Sequence, residues 1–343
     1  MIVTSDAELK AALAAANPGD TIRVAPGNYP VFNSSRERGF EEPVTIEAVE
    51  RHAAVFAGLD LQNWGGLAVR GVRVASDASV AVNMSRTRRV SLHDCKISSA
   101  KPDRDPWNNG NTGIHIRSAE SAGVHDCDLF DLRTGIYCQR SEYVLLTDNR
   151  LTGLREGINI AACDHVSVRR NEIGDFWPNY GKREHPDALQ FWCNGETRGC
   201  SDVQVVDNRF IQLGRKAVHG MFMRSEVKGL RHKNIVVSGN LYYGSAKHGL
   251  SVSDADGVLI ERNLVLPSLH AGSGYPRGQD GGETSAALMP TIYCGEDTTG
   301  EARHIIGPWM KLPAGVADVG NYRGTPGGCA AALAGELMAR GAA

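Results

Sequence analysis

The chain has 343 residues, a formal net charge of −2 and a pI of about 6.6. That balance offers no basic field to attract nucleic acid, and no apolar run is long enough to cross a membrane. Met1-Ile-Val-Thr lacks the charged-then-apolar pattern of a signal peptide. The expectation is a protein that stays inside a cell, leaves by another route such as lysis within a virus particle, or has lost a processed signal.

In chain order, Ser5 to Ala16 is predicted to be a helix. Ser5 and Glu8 form a capping box, and Leu9 and Leu13 supply the apolar face. Its expected place is over the open end of the structure that follows. Asn17-Pro-Gly-Asp ends it. TIRVAP, NYPVF, VTIEAV and AAVFAG then read as short strands, and regular units run from Leu67 to about Leu266. Beyond Leu266 the pattern fades into HAGSGYPRGQDGGETS. AALMPTIYCG and ARHIIGPWM read as a last irregular coil, and Cys329 to Ala343 as an Ala-rich helix.

The regular units repeat. The residue after each polar corner falls at Val72, Cys95, Cys127, Asn149, Asn171, Asn208, Asn240 and Asn263, in steps of 23, 32, 22, 22, 37, 32 and 23. GIHI (113–116), GIYC (135–138), GINI (157–160), ALQF (188–191), GMFM (220–223) and GLSV (249–252) confirm the phase. The base period is 22–23, and the three long steps carry insertions. β-branched residues alternate, and Gly, Asn or Asp stand at corners, which is strand and turn chemistry. A leucine-rich repeat would need a helix in each unit. The prediction is an all-β parallel β-helix with three strands per coil and coils stacked at ~4.8 Å. The repeat overrides the two domains that length alone would predict. The expected divisions are a cap helix and first strand over 1–30, the β-helix over 31–310, and a C-terminal tail and helix over 311–343. Asn at successive corners predicts an internal amide ladder, and right-handedness follows from the general preference of parallel crossovers.

This repeat, with the N-terminal string DAELKAALAAANPGDTIRVAPGNYPVF, resembles the pectate-lyase-like superfamily of right-handed β-helices. In character it is nearest to phage tailspike depolymerases and polysaccharide lyases. The resemblance covers residues 1 to about 310 and implies action on a polysaccharide. HPDALQFW resembles strings of phage-associated β-helix proteins. Two departures qualify it. The several aspartates on one strand usual in pectate lyases are absent. His219-Gly220 is similar to the His-Gly of polygalacturonase-like hydrolases, but the paired aspartates expected beside it are missing.

Aligning the coils places outward residues in columns. One reads Thr112, Thr134, Glu156, Asp187, His219, His248. The next reads His115, Tyr137, Asn159, Gln190, Phe222, Ser251. The third reads Arg117, Gln139, Ala161, Trp192, Arg224, Ser253. Glu156, Asp187 and His219 are the candidate catalytic residues. Two carboxyls ~5 Å apart suit a retaining glycosidase, and a gap of ~6.5–9.5 Å suits inversion. Crowded like charges raise one pKa and make that group the acid. Tyr137, Trp192, Trp107 and Trp177 offer faces for sugar rings. Arg117, Arg224, Lys182, Arg183 and Lys247 would hold an anionic polysaccharide. His115, Asn159, His185, Gln190 and His248 complete the expected binding surface. The insertions 98–111 and 175–186 leave from the same corner and are expected to wall a groove with Trp107, Trp177 and Tyr180. A lyase would use Lys182, Arg183 or His219 as base, with a calcium ion on Glu156 and Asp187; otherwise no cofactor is expected. The plain alternative is that polar columns decorate the outside of any β-helix.

Two functions are therefore expected ahead of others. The first is a glycan-degrading spike of a phage or phage-like particle, acting as hydrolase or lyase. The second is a spike that binds glycan without cutting it. A secreted uronate lyase is third. The tailspike resemblance implies a homotrimer or a virion partner protein. Of the eight cysteines, Cys95, Cys127, Cys138 and Cys163 read as small buried thiols. Cys193 and Cys200 bracket a loop that could close a disulfide, which a reducing site of synthesis opposes.

Overall fold

The computed structural model describes residues 1–34, 39–101, 110–177, 186–213, 217–268, 290–307 and 309–323. The chain divides into two compact units, Met1–Arg155 with Cys163–Ser167, and Glu156–Ala162 with Val168–Ala343. The expected C-terminal helix and the insertion residues Trp107, Tyr180, Lys182, Arg183 and His185 lie outside the described residues. No helix among the described residues is long and apolar enough to cross a membrane.

In the first unit the helix Asp6–Ala15 begins where the sequence places it. The Glu8 amide donates to Ser5 Oγ at 3.2 Å, and Glu8 Oε2 accepts from the Thr4 amide at 2.7 Å. Leu9, Ala12 and Leu13 are buried, and the helix packs on the strands Ile2–Val3 and Thr21–Val24. A parallel sheet then runs through Val44–Ala48, Gly65–Arg70, Arg88–His93, Glu120–His125 and Glu142–Thr147. Register places Val69, Leu92, Val124 and Leu146 in one buried row. A second row of strands, Val80–Ser85, Thr112–Arg117 and Asp128–Gln139, pairs Val82, Ile114 and Ile136.

The second unit repeats the plan in three parallel columns. One is Ser201–Val206, His232–Ser238, Ala255–Glu261, Gly300–Arg303 and Val316–Val319. Another is Glu172–Gly174, Arg209–Ile211, Leu241–Gly244, Leu264–Pro267, Ile306–Gly307 and Tyr322–Arg323. The third is Asp187–Trp192, His219–Met223, His248–Val252, Thr291–Cys294 and Trp309–Lys311. Each unit is thus a parallel β-helix of three strands per coil, as the period predicts.

The corner residues explain the repeat. The residue before each ladder position is left-handed: Gly71, Asp94, Asp126, Asp148, Arg170, Asp207, Gly239 and Arg262 all have φ between 51° and 68°. The next residue then turns its side chain inward. Asn208 Oδ1 accepts from the Asn171 amide at 3.0 Å and from Asn171 Nδ2 at 2.9 Å. Asn240 and Asn263 continue the same pattern at 2.9–3.0 Å. Each Nδ2 also reaches a carbonyl; that of Asn208 reaches Val168 at 2.8 Å. Buried amides are tolerated here because every group is paired. In the first unit the Cys127 amide donates to Asn149 Oδ1 at 2.9 Å, and Cys127 Sγ takes the acceptor's place for the Cys95 amide.

A glycine opens most strands of the GIHI type for a steric reason. A Cβ on Gly157 would meet the Ala188 carbonyl at 2.1 Å, and one on Gly220 would meet the Gly249 carbonyl at 2.2 Å. Coil stacking leaves no room there. Cys193 and Cys200 are buried, and no disulfide joins them. The Cys200 amide donates to His232 Nδ1 at 3.1 Å, and Cys193 Sγ lies 3.9 Å from His232 Nε2. Burial pushes the Cys193 thiol up to about 11 and the His232 imidazole down to about 4.

Candidate active site

Within the second unit the strand register follows the middle column. Asn159 pairs with Gln190, Gln190 with Phe222, Phe222 with Ser251, Ser251 with Tyr293, and Tyr293 with Lys311. Asp187 pairs with His219, and His248 with Thr291. Alternation makes these positions face away from the core formed by Leu189, Met221, Leu250 and Ile292.

Facing outward does not make them exposed. Asp187 is 2% exposed and His219 6%. Asp187 Oδ1 lies 2.9 Å from His219 Nδ1. An ionised carboxylate can only accept, so Nδ1 carries the proton and Nε2 is left as the basic nitrogen. His248 meets His219 edge to face, with ring centroids 4.9 Å apart. Glu156 turns elsewhere: its Oε2 accepts from Asn159 Nδ2 at 3.0 Å. Asn159 is 6% exposed, and its Oδ1 has no partner among the described residues. Glu156 and Asp187 therefore have separate partners, and Asp187 is oriented onto an imidazole. Among the described residues no group of three or more His, Cys, Asp or Glu side chains converges to hold a metal.

Beyond His248 the face opens into a cavity of about 610 Å³ lined by Phe222, Arg224, His248, Ser251, Tyr293 and Lys311, with Lys247 also on the wall. That volume lies within the range of ligand-binding clefts. Gln190 and Trp192 are half-buried on the neighbouring strand, Arg224 is exposed, and Trp177 is 47% exposed. In the first unit His115 pairs with Tyr137 and Arg117 with Gln139, and the His115 and Tyr137 rings meet edge to face at 5.3 Å. Burial lowers the His115 pKa, with Arg117 adding to the effect.

Tyr293 and Lys311 are among the lining residues that the sequence reading did not single out. Their signal was present. TIYC (291–294) repeats the wording of GIYC (135–138), and the register pairs Tyr293 with Ser251 of the middle column. The Gly-rich stretch before it hides the period.

The fold is a parallel β-helix with a lateral cleft on its second unit. The chain belongs to the right handed beta helix region family, whose match covers residues 80–265. No curated protein matches the sequence. Among solved structures, the chain is similar to an alginate lyase from Paenibacillus sp. str. FPU-7, at 14% identity and a TM-score of 0.51, over 79% of this chain and 98% of that one. It is similar to the A-module of the mannuronan C-5 epimerase AlgE6 of Azotobacter vinelandii, at 13% identity and a TM-score of 0.56, over 94% of each chain. It is also similar to the Dettilon tailspike protein, at 12% identity and a TM-score of 0.52, over 92% of this chain and 64% of that one. At these identities the likeness is one of fold.

Proposed function

We propose that this protein is a polysaccharide depolymerase whose proton transfers are made by the Asp187–His219 pair, at the head of the Phe222–Tyr293 groove. The observation that carries the reading is the buried Asp187 carboxylate 2.9 Å from His219 Nδ1. A carboxylate so placed holds the imidazole in one tautomer and one orientation, the arrangement a general base requires. His219 Nε2 would take a proton from the sugar carbon in an elimination, or from water in a hydrolysis. Aromatic and cationic side chains along the groove supply stacking faces and charge for a glycan. The fold likeness to an alginate lyase and a mannuronan epimerase supports a polysaccharide substrate.

The likeness to a tailspike supports the more specific setting, an extracellular or virion-borne spike, with a homotrimer or a virion protein as partner. If the reaction is a uronate elimination, a calcium ion on Glu156 and Asp187 would have to compete with the Asn159 and His219 contacts those carboxylates already make. The near-complete burial of Asp187 and His219 favours one second reading, a spike that binds glycan without cutting it.

One assay separates them. The protein is incubated with a panel of acidic and neutral bacterial polysaccharides, beside Asp187→Asn and His219→Gln. New reducing ends lost in both variants establish the depolymerase, and the ultraviolet absorbance of unsaturated sugar ends identifies elimination. Binding without new ends, unchanged in the variants, overturns the catalytic reading.

A further inference from the structure

His219 is oriented by Asp187 but closed off from the cleft. Its side chain is 7% exposed, and it is not among the residues that line the cavity of about 610 Å³. The small space that it does border, between Phe176, Phe210 and Tyr242, has a volume of about 10 Å³. That is room for one water at most, and none for a sugar. His248 is half-buried and does line the large cavity. Its ring meets that of His219 edge to face, with centroids 4.9 Å apart and planes at 85°. His248 is thus the imidazole that stands between the buried pair and the space open to a polysaccharide.

The ring is also held in place. Phe222 meets it at 5.4 Å and 69°, and Tyr293 at 6.0 Å and 76°. With His219, three rings at steep angles fix the plane of the imidazole. The backbone beneath it is irregular. His248 pairs with Thr291 and Leu250 with Ile292, so His248 and Gly249 together stand opposite one residue. Such a bulge re-aims the side chain that it carries, and bulges are over-represented beside active sites. Gly249 makes the bulge possible: a Cβ there would lie 2.7 Å from Val265 Cγ1 and 3.1 Å from Tyr242 Cδ1. Arg224, Lys247 and Lys311 share the cavity wall with Asp254, Glu296 and Asp297, so neither sign of charge dominates it.

We propose that His248 is the general base that touches the polysaccharide, and that Asp187 and His219 act through it as positioning residues. This rests on the depolymerase reading and names the residue by which the buried pair reaches the substrate. In an elimination, the C–H bond beside a uronate carboxyl breaks and its proton bonds to an imidazole nitrogen of His248. The electron pair becomes a C=C bond, the glycosidic C–O bond breaks, and the departing oxygen takes a proton from water. In a hydrolysis, His248 takes the proton of a water molecule whose oxygen bonds to the anomeric carbon. The same C–O bond breaks, and the departing oxygen is again protonated by solvent. Either way a positive charge appears on His248. It lies one ring contact from His219 and, beyond it, the Asp187 carboxylate that offsets it.

Steady-state kinetics of the whole protein on the polysaccharide that it cuts test this. His248→Ala is expected to lower turnover by about 10²–10⁴-fold with KM little changed. Imidazole added to the solution should enter the vacated space and restore part of the rate. Pyrazole has the same shape and far less basicity, and should not. Neither should restore His219→Ala, whose ring is shut away from the cavity. His248→Gln keeps the bulk of the side chain and should be as slow as His248→Ala. Both variants should melt cooperatively like the parent; if His248→Ala does not fold, the kcat and KM of His248→Gln decide. Near-parental turnover, a rise in KM alone, no rescue of the folded variant by imidazole, or equal rescue by pyrazole overturns the assignment and leaves the depolymerase standing. A parent that cuts nothing in the panel overturns the depolymerase reading, and this assignment with it.

Discussion

His219 Nδ1 lies 2.9 Å from Asp187 Oδ1, and the two side chains are only 7% and 2% exposed. The pairing is made across two adjacent strands in register, so backbone geometry sets it. Such a pair is preorganised, with little rotamer freedom left to lose. Asp187→Asn should keep the fold but permit the other imidazole tautomer. Turnover on the responding polysaccharide is expected to fall by about 10²–10⁴-fold with KM little changed. Steady-state kinetics check this, and a parallel rise in KM would point to a binding role.

The amide ladder makes a prediction about stability. Asn208 Oδ1 accepts from Asn171, and its Nδ2 donates to Asn240 and to the Val168 carbonyl. Asn208→Ala removes these and strands the Asn171 amide in the core. A loss of about 3 kcal/mol is expected, given about 1 kcal/mol per net bond and more for an orphaned group. Chemical denaturation measures it. An exposed control such as Gln204→Ala should move the midpoint hardly at all.

Gly220 follows His219 on the strand His219–Met223. A Cβ there would lie 2.2 Å from the Gly249 carbonyl and 2.5 Å from the Tyr242 ring. The carbonyl belongs to the strand ladder and cannot turn aside. Gly220→Ala is expected to cost about 3 kcal/mol, the upper end of overpacking, and to lower the melting temperature. The same change at Gly195, where nothing lies within 4 Å of the Cβ, carries only its positive-φ strain.

His232 gives the fold a pH dependence. Burial pushes its imidazole down to about 4, so it is neutral in the folded chain. The unfolded chain binds that proton from about pH 6.5 downward. The contribution to stability is therefore complete above about 6.5 and is lost as pH falls to about 4, by about 3 kcal/mol in all. His93, also lowered to about 4 chiefly by burial, acts in the same direction. Denaturation midpoints measured across this window should fall with pH, and His232→Gln should flatten part of the slope.

Much of this was legible in the sequence because a coil repeats its chemistry. Asn171, Asn208, Asn240 and Asn263 sit at fixed phase, since each must meet the one before it. Gly157 and Gly220 recur because a carbonyl occupies the space of a side chain. The columns through Asp187 and Phe222 followed from that phase. What alternation does not carry is cover. It assigns Asp187 and His219 to the outward face, yet both are almost fully buried. Tyr293 and Lys311 were missed for another reason. The long Gly-rich stretch before Thr291 breaks the count, although TIYC repeats GIYC.

The left-handed corner has a consequence for how such a chain changes over time. Asp, Arg and Gly all serve before the ladder residue, because the position demands a backbone state and not a particular side chain. Substitutions can therefore drift through the corners while the winding persists. A new loop can enter at one corner without disturbing the coils on either side. Lineages of such proteins can exchange the chemistry on their flanks while keeping one inherited frame, and the frame outlives any recognisable wording of the sequence.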